Sequence, residues 1–241
     1  KHKDIDIKYN YVKDNILVFV FALIENPEFK SQSKEELASK VNDFGSRCDI
    51  DEPTIKQIIK LGIDKNVLAI ANAKNQKALN ASDGKKRLKV LGIPKLDDAN
   101  RAGGKESDRC VLILTEGDSA KTFAVAGISK VGRDYYGIFP LKGKLLNVKK
   151  ATQKQLISNT EIINLKTILG LQNGKKYKNV DDIKKDMRYG KILILTDQDT
   201  DGSHIKGLLI NFFYHFWPLL VKDSNFITCL QTPIVKCTKG K

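Results

Sequence analysis

"KILILTDQDTDGSHIKGLL" (191–209) decides the fold. After Lys191 comes a short run of Ile and Leu, the composition of a strand buried on both faces. Three aspartates follow at alternate positions, Asp197, Asp199 and Asp201, and Gly202 closes the series. From Ser203 to Val221 the sequence reads as a helix. Working outward, the same order of strand, acidic tip and helix recurs: "CVLILT" (110–115), then Glu116, then "GDSAKTFAVAGI" (117–128). "YYGIFPL" (135–141) predicts another strand, "TQKQLISNTEIINLKTILGL" (152–171) a helix, and "ITCLQTPIVKC" (227–237) a final strand. Strands alternating with helices predict an α/β fold, a parallel sheet flanked by helices.

The N-terminal part is composed differently. "ILVFVFALI" (16–24) reads as a buried strand. "ENPEFKSQSKEELASKV" (25–41) turns at Pro27 and looks helical towards its end. Ile55, Ile58, Ile59 and Ile63 recur at helical spacing behind Pro53, and Gly62 weakens the last turn. The Gly103–Asp108 segment reads as a linker, placing a boundary between 1–102 and 103–241.

The formal charge is +14. Such a surface suits a polyanion, nucleotide or nucleic acid, although a lysine-rich solvated surface carries the same charge. The four cysteines lack CxxC spacing and the three histidines form no ligand pattern with them, so buried free thiols are expected rather than zinc or disulfides. No apolar run reaches the ~18 residues of a membrane span. Met187 is the single methionine, so the sequence reads as part of a longer polypeptide.

The aspartate series resembles the opening of a calcium loop. That loop needs a Glu at its twelfth position, where, counting Asp197 as the first, Leu208 stands, and a helix before it, where a strand is predicted. On an extended segment, residues two apart project to one side, so Asp197, Asp199 and Asp201 would line one edge at the C-terminal end of a strand. Glu116 holds the equivalent place on another strand. If both strands share a sheet, four carboxylates converge, which favours a divalent cation. An all-carboxylate set beside phosphate oxygens is the preference of Mg²⁺, and the chemistry implied is phosphoryl transfer. Ser203 is expected to cap the helix after the aspartates, and Asp118 and Ser119 the helix after Glu116. His204 reads as a helix-start residue, and Tyr135 and Tyr136 as core aromatics of a strand.

"LTEGDSAKT" (114–122), "PLKGKLLNV" (140–148) and "TDQDTDGSHIKGLLINFF" (196–213), in this order, resemble the TOPRIM domain of type II DNA topoisomerases. "GIPKLDDAN" (92–100), "RAGGK" (101–105), "GLQ" (170–172) and "TPIVK" (232–236) look like the eukaryotic-type enzyme. "FVFALIENPEFKSQSKEEL" (19–37) is similar to the end of the transducer domain that precedes TOPRIM in that family, so residues 1–102 are expected to be transducer and linker and 103–241 TOPRIM. The resemblance implies ATP-dependent passage of one duplex through a break in another. It implies Glu116, Asp197 and Asp199 as catalytic magnesium ligands, with Asp201 as the alternate or second-metal acid. Mg²⁺ is the implied cofactor, with Mn²⁺ or Ca²⁺ as substitutes. Lys142, Lys144 and Asn147 match family residues near the DNA backbone, Lys142 standing where many members have Arg and so lacking a two-pronged phosphate grip. Gln32 and Lys34 match the Gln and Lys of a loop that reaches the γ-phosphate of ATP, Ser33 standing between them for Thr. The implied partners are double-stranded DNA and a second copy of the full-length enzyme. An ATPase domain N-terminal to this stretch and a winged-helix domain C-terminal to it, carrying the tyrosine nucleophile, are implied in the same chain, so this stretch alone is expected to be inactive. The implied location is the nucleus or a viral replication site. A different TOPRIM enzyme, a primase or nuclease, and a non-catalytic DNA-binding module are the alternatives.

Overall fold

The computed structural model describes residues 7–231 and 237–238. The chain divides into two compact units, Lys1–Lys74 and Asn75–Lys241. The division falls before the 102/103 boundary read from composition, because residues 75–102 are tied into the second unit by buried polar contacts. Lys166 reaches Asp83, and Gly84 N–H donates to the Leu171 carbonyl at 2.8 Å. Gly103–Asp108 is no free linker: Gly103 N–H donates to the Arg188 carbonyl at 3.1 Å and Ser107 is buried in a 3₁₀ turn.

The first unit holds α1 (Tyr9–Lys13), α2 (Glu52–Lys60) and the start of α3 (Ile63–Ala81). Asp51 caps α2 through the Thr54 amide at 3.0 Å, and the helical run breaks at Leu61–Gly62, as the glycine suggests. The strand expected at 16–24 does not form. Phe19 and Phe21 are 88% and 97% exposed, and within the described part of this unit no neighbouring strand supplies a ladder. Nor is there a helix towards residue 41 beyond a 3₁₀ turn at Val41–Asp43. Instead residues 28–39 double back: Phe29 bridges Leu37, and Lys30 N–H donates to the Glu36 carbonyl at 3.0 Å.

The second unit is a four-stranded parallel sheet in the order β2-β1-β3-β4. The strands are β1 (Val111–Glu116), β2 (Tyr136–Leu141), β3 (Lys191–Leu195) and β4 (Ile227–Cys229). Side chains alternate across it. Leu112, Leu114, Phe139, Leu141, Ile192 and Ile194 face one core, closed by α6 (Thr160–Leu169), α8 (Thr200–Phe216) and α9 (Pro218–Lys222). Ile113 and Ile138 face the other way, onto Ala124 and Ile128 of α4 (Gly117–Val131). Two expected single helices are pairs. Asn159 separates α5 (Gln153–Ser158) from α6 and caps the latter, and Pro218 opens α9 after α8. A further helix, α7 (Val180–Asp186), leads to β3. The last strand is shorter than expected, and residues 232–236 of "TPIVK" lie outside the described residues. Of the cysteines, all free, Cys110 is buried while Cys48, Cys229 and Cys237 are exposed, so the expectation of buried thiols holds for Cys110 alone.

Candidate metal centre and nucleic-acid interface

Parallel pairing brings three strand ends to one edge. Thr115 is the register partner of Leu195, so Glu116, ending β1, stands beside the point where the chain leaves β3 for Asp197. Glu116 is itself the partner of Leu141, after which Lys142 begins the loop from β2. The two strand tips on which the sequence reading depends are therefore neighbours, at the carboxyl edge where open α/β sheets place their ligands. Glu116 Oε2 is buried and has no hydrogen-bond partner, and Thr196 Oγ1 is in the same condition. A buried carboxylate oxygen left without a donor is costly unless a cation or water reaches it, so the Glu116 end of the site fits a bound cation.

The aspartates are not a row along an extended edge. β3 stops at Leu195 and α8 starts at Thr200, so the chain bends between Asp197 and Asp201. Asp199, not Ser203, caps α8, accepting from the Gly202 amide at 2.7 Å. Ser203 Oγ donates to the Asp199 carbonyl instead. Asp201 lies in the first turn of α8 and takes a 2.9 Å hydrogen bond from Lys144 Nζ, which holds its carboxyl below the ordinary aspartate range. With Asp199 and Asp201 engaged in this way, no group of three or more His, Cys, Asp or Glu close enough to hold a metal occurs among the described residues. Asp118 does not cap α4, whose N-cap makes no side-chain bond. It pairs with Lys95 at 2.6 Å. His204 is exposed, in the first turn of α8. Tyr135 is half-buried and donates to Glu106 at 2.9 Å.

Two glycines shape the site, one at a bend and one inside the first turn of α8. Gly117 turns the chain from β1 into α4 with φ +76°, a region that side chains resist. At Gly202 the constraint is approach: a Cβ would lie 2.1 Å from the Asp197 carbonyl oxygen and 3.1 Å from Thr196 Oγ1. The first turn of α8 thus sits directly on the acidic tip. Gly202→Ala must push them apart, and overpacking of about 1–3 kcal/mol is expected to lower the melting temperature by roughly 2–12 °C in a thermal scan.

The loop after β2 is anchored at Leu141, Leu145 and Val148, all buried, and exposes Lys142 and Lys144 between the first two. Asn147 points inward: its Oδ1 accepts from Asn211 Nδ2 of α8 at 3.1 Å, so it fastens the loop rather than presenting itself outward. A cleft of about 550 Å³ opens between this loop and the α5–α6 junction. In the other unit, Gln32, Ser33 and Lys34 form the exposed tip of the 28–39 turn, and Lys34 adopts φ +57°. Lys34 N–H donates to the Ser31 carbonyl at 3.1 Å.

Sequence reasoning missed buried polar groups away from this edge, where Arg188 and Tyr189 precede the start of β3. Arg188 is fully buried and donates to the Arg87 and Ile168 carbonyls at 2.7 and 2.9 Å and to the Asp98 carboxylate. Tyr189 also donates to Asp98, and burial is the main cause that pushes its phenol well above the usual range. Lys166, equally buried, contacts Asp83 at 2.9 Å and donates to Ser82 Oγ and the Leu79 carbonyl. Burial draws its ammonium pKa down, and Asp83 opposes that shift. Asp98 and Arg188 lie far apart in sequence, and no local spacing announces the pair.

The Toprim domain family matches residues 111–229, which contain the whole sheet. A DNA topoisomerase 2 of Pisum sativum is 51% identical over 99% of this chain and 16% of its own length. This chain carries a Toprim domain of the DNA topoisomerase 2 type. A DNA topoisomerase 2 of Acanthamoeba polyphaga mimivirus is 50% identical over all of it. A crystal structure described as the Plasmodium falciparum topoisomerase II DNA-binding, cleavage and re-ligation domain superposes with TM-score 0.60 at 58% identity, covering 64% of this chain and 21% of that one. The chain spans 15% to 19% of the curated relatives named DNA topoisomerase 2 that it matches. The identity runs beyond the Toprim boundaries in both directions, so residues 1–110 belong to the same alignment. No helix among the described residues is long and apolar enough to cross a membrane.

Proposed function

We propose that the chain is the central part of a longer ATP-dependent type II DNA topoisomerase, which passes one duplex through a transient double-strand break in another. The observation that carries this reading is the adjacency of the strand tips that end in Glu116 and lead to Asp197, with the Lys142–Asn147 loop following the strand beside them. Names and titles of the relatives support it. On this reading Glu116, Asp197 and Asp199 hold Mg²⁺, with Asp201 as the alternate acid. When bound, the ion supplies charge neutralisation at a DNA phosphate during cleavage and religation. Asp199 would serve by turning from its cap, and Asp201 by leaving Lys144. Lys142 and Lys144 meet the DNA backbone as point charges without reading sequence. The assembled enzyme is a nuclear homodimer whose tyrosine nucleophile and ATP-binding core lie in other parts of the polypeptide. On this reading the first unit, Lys1–Lys74, serves as the end of a transducer, and the second, Asn75–Lys241, carries the catalytic Toprim domain.

Decatenation of interlinked DNA circles by the full-length protein tests this directly. Activity that needs both ATP and Mg²⁺ is the expected result. Primer synthesis on a single-stranded template, with no decatenation, would overturn it in favour of a primase.

Gln32 and Lys34 give a second, separable expectation. They are read as touching the γ-phosphate of ATP, so that its loss on hydrolysis is felt in this unit. Lys34→Ala should reduce ATP-coupled strand passage about tenfold, a typical coupling between sites, while DNA affinity in a binding titration stays as it was.

A further inference from the structure

We propose that Glu161 is a positioning residue for DNA engagement, acting through the backbone of Lys142. The proposal rests on the reading of the 142–147 loop as a DNA contact. The loop leaves the sheet at Leu141, the register partner of Glu116, so a shift at its start moves the lysines relative to the acidic tip. Three contacts fasten it. Lys144 reaches Asp201, Asn147 accepts from Asn211, and the Lys142 amide donates to Glu161 Oε1 at 3.1 Å. The Glu161 contact fixes the first exposed residue after β2.

Its own placement is firm. Glu161 occupies the first turn of α6, where a carboxylate is favoured by the helix dipole. Asn159 caps that turn by accepting from the Ile162 amide at 3.0 Å, and Ile162 and Leu165 are buried in the main core. Among the residues that line the 550 Å³ cleft beside Lys142, Gly143 and Lys144, Glu161 is the acidic one. An acid in a cleft meant for phosphate works against binding unless it has another task. Accepting from the Lys142 amide is such a task, and a charged acceptor makes that bond stronger than a neutral one. The role needs an oxygen at Oε1 rather than a negative charge, which separates it from metal binding.

The test compares Glu161→Ala, Glu161→Gln and Lys142→Ala in the full-length protein, with DNA cleavage measured against DNA concentration. Glu161→Ala is expected to raise the DNA concentration for half-maximal cleavage about tenfold, with the maximal rate and melting temperature unchanged. Glu161→Gln keeps the acceptor and is expected to restore half-saturation to within about twofold. Half-saturation unchanged in Glu161→Ala but raised in Lys142→Ala would overturn the proposal and leave the loop as a DNA contact. No change in either variant would overturn the reading of the loop itself. A fall in melting temperature with no rescue by Gln would mark Glu161 as structural only.

Discussion

In the full-length protein, Glu116→Gln is expected to lower Mg²⁺-dependent DNA cleavage by roughly a hundredfold to a thousandfold, the worth of a few kcal/mol of metal-supplied charge stabilisation. The substitution keeps the shape of the side chain and removes its charge. Oε2 is buried and unpartnered, so neutralising it relieves a desolvation cost rather than creating one. The melting temperature without metal should therefore hold or rise while cleavage collapses. Mn²⁺ binding, followed by the loss of its free-ion resonance signal, should weaken in parallel. Cleavage retained at the parent rate would remove Glu116 from any role with a metal.

Arg188→Ala is expected to cost about 3–5 kcal/mol of stability, the penalty for leaving one member of a buried ion pair alone. The guanidinium serves two carbonyls and Asp98, and all of its partners lie within the second unit. Its loss strands the Arg87 and Ile168 carbonyls, and Tyr189 remains as a donor to Asp98. A fall in melting temperature on the order of 10 °C should be seen by circular dichroism. Arg188→Lys should recover little of it, since one ammonium cannot reach three acceptors in the geometry of a planar fork.

The sheet was legible because its signals are local. "VLILTE" and "KILIL" declare strands by composition, the first running straight into the Gly117 bend and the second into the aspartates, and the structure keeps both strands and that bend. The neighbourhood of Glu116 and Asp197 also followed from the pattern, since parallel strands put like ends together. Other features depend on partners that spacing does not reveal. The 16–24 segment is as apolar as any strand in the chain, yet without a neighbouring ladder it forms no strand, and residues 16–23 are exposed. The aspartate series looked extended because alternate acids suggest period two, but Asp199 is a better helix cap than Ser203 and draws the helix start forward to Thr200. Lys144 was read as a hand for DNA, and here it also holds Asp201, a link between motifs 57 residues apart. The buried Arg188–Asp98 pair is the extreme case, 90 residues apart, and nothing in the "GIPKLDDAN" stretch that holds Asp98 points to Arg188.

The adjacency of β1 and β3 has a kinetic consequence. The segment between them, residues 117–190, supplies β2 and four helices before β3 can dock at the centre of the sheet. Glu116 and Asp197 therefore meet late, after the long-range closure that limits the speed of such topologies. A divalent ion bound as proposed would find its ligands together only after that closure, so it would slow escape from the native state and leave the rate of arrival unaltered.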